Sequence, residues 1–193
     1  ATWKEALDLA TKVNASEPDN PEYYRVVAFH AGSHGDEAGQ RRASEAMLRL
    51  SPREPSAYNV LAVTHLRAGE PQRAIELLTK AVELNRKNAG AVFLNNLGRA
   101  YFMAGNYKAA IEWCDKALQV EPTLDAAHLV LAMAYALDGN EAKARAEAGE
   151  VRRRNPQYKF DVEGERAKAA SPTYRAYLED RVIPGLTKAG LLM

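Results

Sequence analysis

Cysteine is nearly absent from this chain, since Cys114 is the only one among 193 residues. An intrachain disulfide framework is therefore excluded, and the redox compartment stays open. Long apolar runs are also missing, so we expect no membrane insertion. A signal peptide has a basic stretch followed by an apolar one, and the start of this sequence does not show that pattern. We expect a cytoplasmic protein, or a periplasmic one if an upstream signal was removed.

An excess of charge of either sign is missing too. Lys and Arg total 26 and Asp and Glu total 25, so net charge predicts neither a nucleic acid nor an acidic lipid as partner. The one basic cluster, Arg152-Arg153-Arg154, falls in the last turn of a predicted helix, where positive charge interacts favourably with the helix dipole. No aromatic side chains are interleaved with it. We therefore expect no nucleic-acid partner.

Motifs of catalysis and metal binding are lacking as well. The sequence contains no nucleophile elbow, no P-loop and no dinucleotide-binding glycine motif. His30 and His34 are four residues apart, but Gly32 between them and Gly35 after them make a shared helical face loose. Cys114 has no neighbour in sequence that lowers a thiol pKa, so we expect it to be buried and inert. The sequence predicts no catalytic residue, no metal site and no cofactor, and therefore no enzyme.

The chain does contain an internal repeat. A small residue recurs about every 34 residues, and a glycine follows it seven positions later each time. The four pairs are Ala28–Gly35, Ala62–Gly69, Gly98–Gly105 and Ala132–Gly139. Such a period is typical of a helical solenoid, in which helix pairs stack on their neighbours.

The clearest unit runs over residues 91–124. Gly98 lies on the apolar face of its first predicted helix, where a small residue lets the neighbouring helix approach closely. Gly105 tolerates the left-handed backbone that ends this helix, and Pro122 ends the second helix. The unit resembles the tetratricopeptide repeat through Leu97, Gly98, Tyr101, Gly105, Tyr107, Ala110, Ala117 and Pro122.

This resemblance implies an all-α fold, a right-handed α-solenoid of tetratricopeptide helix-turn-helix repeats with a C-terminal capping helix. We divide the array into a half repeat, four full repeats and a C-terminal helical cap, at residues 1–20, 21–54, 55–88, 91–124, 125–158 and 159–193. The half repeat predicts that the native polypeptide extends upstream, and its Thr2 and Glu5 form a capping-box pattern. Gln40 stands where alanine is usual, and Arg86 replaces the proline before a two-residue slip.

The cap is predicted to be one helix that begins at Ser171-Pro172, with serine as the N-cap and proline in the first turn. Its apolar stripe consists of Tyr174, Tyr177, Leu178, Val182 and Leu186. We expect Pro184 to kink this helix. A helix of this kind is predicted to cover the open end of the solenoid. The alternative is a segment that binds a partner or is swapped between copies.

First helices line the concave side of such arrays, so their residues outside the packing face are the candidate binding groove. By register these are Arg25, Phe29, Asn59, Val63, Leu66, Asn95, Asn96, Arg99, Phe102, Met103, Leu129 and Met133. The asparagines are expected to hold an extended peptide backbone, because their amides both donate and accept. The alternative for each residue is packing between repeats. A clamp for chaperone tails is disfavoured, since the groove contains no lysine.

Residues 57–193 also resemble the C-terminal tetratricopeptide region of bacterial class III adenylate or guanylate cyclases and winged-helix regulators. The residues that carry this resemblance are 127–137, Gly139, Ala142, Ala144, Arg145, Tyr177, Leu178 and 186–191. The resemblance implies a regulatory or oligomerisation module whose catalytic or DNA-binding part lies upstream.

Three functions are therefore open. The first is a protein–protein interaction scaffold that binds a peptide or a partner surface in the groove. The second is the regulatory segment of a bacterial signalling protein, acting through self-association. The third is an envelope assembly factor, which an upstream secretion signal would support.

Overall fold

The computed structural model describes residues 5, 8, 11–12, 15–16, 19–85, 89–169 and 171–192. Within these ranges, helices are the only regular secondary structure. The repeat helices are α1 (Pro21–Ser33), α2 (Glu37–Leu50), α3 (Pro55–Ala68), α4 (Pro71–Leu84), α5 (Ala91–Met103), α6 (Tyr107–Val120), α7 (Asp125–Leu137) and α8 (Glu141–Arg154). The helix start expected at Thr2 and the slip beside Arg86 lie outside the described residues.

These eight helices stack as four consecutive pairs. The two helices of a pair pack on each other, and the second helix of one pair packs on the first helix of the next. The first helices α1, α3, α5 and α7 also contact one another in succession, more extensively than successive second helices do. The array therefore curves with its first helices on the concave side. The predicted all-α solenoid is confirmed.

The turn inside each pair has the same construction. Its glycine adopts the left-handed backbone that other residues reach only at a cost, with φ of 76° at Gly35, 79° at Gly69, 83° at Gly105 and 88° at Gly139. The residue after the glycine caps the second helix in three pairs by accepting a backbone hydrogen bond, from Gly39 at Asp36, from Ala109 at Asn106 and from Lys143 at Asn140.

Gly98 is the closest contact between two paired helices. A Cβ at this position would lie 2.4 Å from Cys114 Sγ and 3.0 Å from the backbone oxygen of Ala110. The corresponding residues Ala28, Ala62 and Ala132 are fully buried. The small residue therefore sets the distance between the helices of a pair, as the sequence predicts.

The first repeat has a core of its own. Ala28, Ala43 and Met47 pack with Ala57 and Val60 of α3 in a cluster separate from the main core, which extends from α3 to the C-terminal segment. Buried polar groups lie between α2 and α3, where Ser44 Oγ and Thr64 Oγ1 are 3.0 Å apart.

Gln40 occupies the position that alanine holds in the other repeats, and it is buried. Gly32 makes room for it, because a Cβ on Gly32 would lie 2.7 Å from the Gln40 side-chain nitrogen. The larger side chain of Gln40 in α2 is therefore accommodated because Gly32 in α1 has no side chain.

The chain continues with α9 (Val162–Lys168) and a long C-terminal helix over residues 172–188. This helix consists of α10 (Pro172–Tyr177), a π-helical turn (Leu178–Val182) and α11 (Ile183–Lys188). Ser171 caps it, since its Oγ accepts a hydrogen bond from the Tyr174 N–H at 3.3 Å. The π-helical turn comes directly before Pro184, which lacks the N–H of a regular helix.

The C-terminal helix packs on the array, but farther back than its expected place at the open end. It contacts the C-terminal end of α3 at Ala68 and Gly69, packs on α7, and places Tyr177 against Phe102 of α5 with ring centroids 6.1 Å apart. The last repeat helix, α8, exposes a charged face that includes Glu141, Lys143 and Arg145. A polar terminal helix needs no apolar cover, which leaves the C-terminal helix free to fold along the groove.

Replacing Gly98 with alanine is expected to lower the free energy of unfolding by about 1–3 kcal/mol, since the new methyl group overlaps Cys114. Gly149→Ala in α8 is the control, because nothing lies within 4 Å of a Cβ there. Alanine in an open helical position should raise stability by about 0.5–1 kcal/mol. Urea unfolding of both variants measures the difference, and equal shifts would contradict the close packing at Gly98.

Candidate functional site

The concave groove is built from the inner faces of α1, α3, α5 and α7. All twelve residues that the sequence assigns to the groove lie on these four helices. Their exposure divides them into two groups. Those that are buried are Asn59, Leu66, Asn95, Asn96, Phe102, Met103 and Met133, and those that are partly exposed are Arg25, Phe29, Val63, Arg99 and Leu129.

Asn59 and Asn96 bind each other. Asn96 Nδ2 donates a hydrogen bond to Asn59 Oδ1 at 2.9 Å, and both residues are buried. Buried amides require such partners, because leaving one unsatisfied is costly. The pair joins α3 to α5, so these two side chains form a contact between repeats. This is the alternative to the expected contact with a peptide backbone.

Asn95 is buried beside Cys114, whose Sγ lies 3.9 Å from Asn95 Oδ1 in hydrogen-bonding geometry. Burial raises the pKa of the Cys114 thiol, and the nearby carboxylates of Asp115 and Glu147 raise it further. The thiol therefore stays protonated at neutral pH, and its expected burial is confirmed.

The C-terminal helix covers one side of the groove. The buried apolar residues of the groove, which we call the covered strip, are Leu66, Phe102, Met103 and Met133, each at most 5% exposed. Tyr177 contacts Phe102, and Gly185 lies so close to Met133 that a Cβ on Gly185 would be 2.9 Å from the Met133 Cβ. These apolar side chains already have a partner, supplied by the chain itself.

The other side of the groove remains accessible. We call it the open strip, and it comprises Arg25, Phe29, Val63, Val92, Arg99 and Leu129. Val92 is 50% exposed and was missed in the sequence, although it lies three and seven residues before Asn95 and Arg99, on the same helical face. Arg99 makes no hydrogen bond or ion pair with any residue that the structure describes. Its charge lies near Tyr174 and Tyr177 of the C-terminal helix, where it opposes the rise that burial causes in the pKa of both hydroxyls. Arg25 pairs with the exposed Glu22.

The two buried histidines bind acidic side chains outside the groove. His65 Nδ1 is 2.5 Å from Glu70 Oε2, and His128 Nδ1 is 2.7 Å from Glu147 Oε2. Burial raises the pKa of Glu70, but hydrogen bonds from His65 and Arg41 outweigh it and leave that pKa below its ordinary value. These contacts join neighbouring helices.

The basic cluster is engaged within the protein. Arg152 donates to the backbone oxygen of Gly190, Arg153 to Glu150 and Arg154 to Asp125. The cluster thereby ties the end of α8 to the start of α7 and to the C-terminal segment.

The paired histidines of the first repeat pack against each other. His30 and His34 lie with ring centroids 4.3 Å apart. In the part of the chain that the structure describes, no group of three His, Cys, Asp or Glu side chains could hold a metal ion. Among the described helices, none has the length and apolar character needed to span a membrane.

Stacked helix pairs that enclose a concave groove define a class of protein, the α-solenoid interaction scaffold. Sequence models of the tetratricopeptide repeat match residues 55–88, 91–124 and 126–150. These three segments of the chain are therefore tetratricopeptide repeats. No curated protein shows significant sequence similarity to it.

Solved structures similar to this one include other proteins of the same architecture. The type IV pilus biogenesis factor PilW is 16% identical, with a TM-score of 0.74 over 92% of this chain and 84% of its own. TTC0263, from Thermus thermophilus, is 21% identical, with a TM-score of 0.69 over 87% and 89%. YrrB, described as having an unusual peptide-binding site, is 18% identical, with a TM-score of 0.61 over 93% and 90%. At these identities the similarity establishes the fold.

The Asn59–Asn96 hydrogen bond yields a test of its structural role. Asn59→Ala and Asn96→Ala are each expected to destabilise the protein by about 1–3 kcal/mol, because each leaves a buried amide without its partner. The double variant should lose less than the sum of the two. Gln72→Ala, at an exposed position of α4, is the control and should be neutral. Additive losses in thermal unfolding would show that the two amides are not coupled.

Proposed function

We propose that this protein–protein interaction scaffold binds a segment of a partner protein in its concave groove, through the open strip. The observation that carries the proposal is Arg99. Its guanidinium lies on the concave face of α5, half-buried, with no hydrogen bond or ion pair among the described residues. A partly desolvated cation gains by pairing with an acidic group, and a bound ligand can supply one.

Apolar side chains surround this charge along the strip. Val92 precedes Arg99 on α5, while Val63 of α3 and Leu129 of α7 stand at neighbouring groove positions. All three are partly exposed or exposed. The strip therefore favours a ligand that places a carboxylate beside one or more apolar side chains.

Selection from a random-peptide library displayed on phage tests the proposal. Peptides that bind the wild-type chain should be enriched in an acidic residue next to apolar ones. Arg99→Ala is expected to weaken their binding about tenfold or more, the loss of one charge-assisted hydrogen bond. Arg73→Ala on α4, whose exposed side chain pairs with Glu76, is the matched control and should bind normally. Equal binding by all three proteins would refute a role for the open strip.

Self-association is a second candidate, and one observation favours it. Leu50, Leu84 and Val120 occupy the same place near the ends of α2, α4 and α6, and they are 38%, 37% and 57% exposed. Together they form an apolar ridge away from the groove, a feature that often marks a contact surface.

If the ridge joins two copies, sedimentation of the wild-type chain should show a dimer whose fraction increases with protein concentration. Val120→Glu should shift this equilibrium to the monomer, because a charge at the interface core is poorly tolerated. Gln119→Glu, at the exposed neighbouring position, adds the same charge as a control. A wild-type chain that stays monomeric at high concentration would exclude the ridge as a dimer contact.

A further inference from the structure

The C-terminal helix occupies the groove in the manner of a ligand. It runs across three successive repeats, touching α3 at its start, α5 in its middle and α7 at its end. Two glycines mark the closest approaches. A Cβ on Gly69 would lie 2.7 Å from the backbone nitrogen of Tyr174, and a Cβ on Gly185 would lie 2.9 Å from the Met133 side chain.

The apolar side chains of this helix fit the covered strip. Tyr177, Leu178, Val182 and Leu186 are all at most 7% exposed. Opposite them, the four residues of the covered strip stand at groove positions that face the concave side. Removing the helix would therefore uncover an apolar surface that extends across three repeats.

Polar contacts between the C-terminal helix and the repeat helices are few. Between residues 171–192 and the repeat helices, the described side chains form two hydrogen bonds, from Ser171 Oγ to the Ala68 oxygen and from Arg152 to the Gly190 oxygen. The Nε atom of Arg181 is buried without a hydrogen-bond partner. Burial of an unsatisfied guanidinium nitrogen opposes the seated position of the helix.

The middle of the helix also departs from regular geometry. The turn over Leu178–Val182 is π-helical, with the Ile183 N–H bonded to the Leu178 oxygen. Single π-helical turns are uncommon and are often found at functional sites. Leu178 and Val182, both buried, lie in this turn, so the irregular part of the helix carries two of its apolar contact residues.

We propose that the C-terminal helix is a displaceable occupant of the groove, and that the partner which displaces it is an amphipathic α-helix with the same apolar stripe. The inference goes beyond the proposed function, because it concerns the covered strip and a helical partner. The expected partner helix carries an aromatic residue and a leucine side by side, then aliphatic residues at the spacings of Val182 and Leu186. A small residue at the place of Gly185 allows it to approach Met133. The apparent affinity for the partner is the intrinsic affinity multiplied by the fraction of molecules in which the helix has left the groove.

The probe for this proposal is a fluorescent synthetic peptide with the sequence of residues 171–192, added to the full-length chain. Wild type is expected to bind it weakly, because its own helix competes. Leu178→Asp places a charge in the buried contact and should loosen the intrinsic helix, raising peptide affinity about tenfold or more. Ala176→Asp adds the same charge at an exposed position of the same helix and should behave as wild type.

A groove variant shows where the peptide binds. Met133→Lys, added to Leu178→Asp, should remove the gain in affinity, since it changes the covered strip and leaves the added charge on the helix. No gain for Leu178→Asp over Ala176→Asp, with both chains folded by circular dichroism, would overturn the proposal. A gain that survives Met133→Lys would also overturn it, because the peptide would then bind elsewhere.

Hydrogen exchange of the wild-type chain tests displacement without any substitution. The amides of residues 172–188 are expected to exchange through a local opening, faster than those of α5 and α7. Exchange of all these amides only through global unfolding would show that the helix is a permanent part of the fold. The open strip is tested separately by Arg99→Ala. If this variant loses library-peptide binding and the C-terminal helix proves permanent, the proposed function is supported and this inference is rejected.

Discussion

The structure depends on the close approach of two helices at a small residue. In each pair, Ala28, Ala62, Gly98 or Ala132 lies fully or almost fully buried against the second helix. At Gly98 the fit leaves no room even for a methyl group. A left-handed glycine follows at the turn, so the chain reverses at the same point in every pair. One short contact and one turn, repeated, are enough to define the stacking of the whole array.

Curvature follows from this stacking, and the groove follows from curvature. The first helices lie closer to one another than the second helices do. The side chains that they direct to the concave side therefore converge. Convergence has two outcomes. Side chains that meet a neighbour become part of the contact between repeats, as Asn59 and Asn96 do. Those that meet no such partner, such as the exposed Val92, remain available for another protein.

The C-terminal helix also affects which residues of the groove are accessible. It contacts Phe102 and Met133, while α8 ends the array with a charged outer face. A solenoid with a polar terminal helix can use its extra helix on the concave side instead of at the end. The chain thus presents an occupied apolar strip next to an open strip of mixed character, and the two strips differ in the ligand that they suit.

Much of the fold could be read from the sequence, because its determinants are local. Glycine at a left-handed turn, an asparagine cap and the apolar spacing of a helix each act within a few residues, and together they predict the helix pairs, the burial of Cys114 and the helix that begins at Ser171. Exposure in the groove could not be read in this way. It depends on which side chain of another repeat, or of the C-terminal helix, arrives at the same place, as the burial of Asn95 and the exposure of Val92 show. The sequence by itself determined the repeat and its turns, since these rest on neighbouring residues. Only the tertiary structure decided which groove residues are open, because residues 172–188 fold back across repeats that precede them by about 50 to 100 positions in the chain.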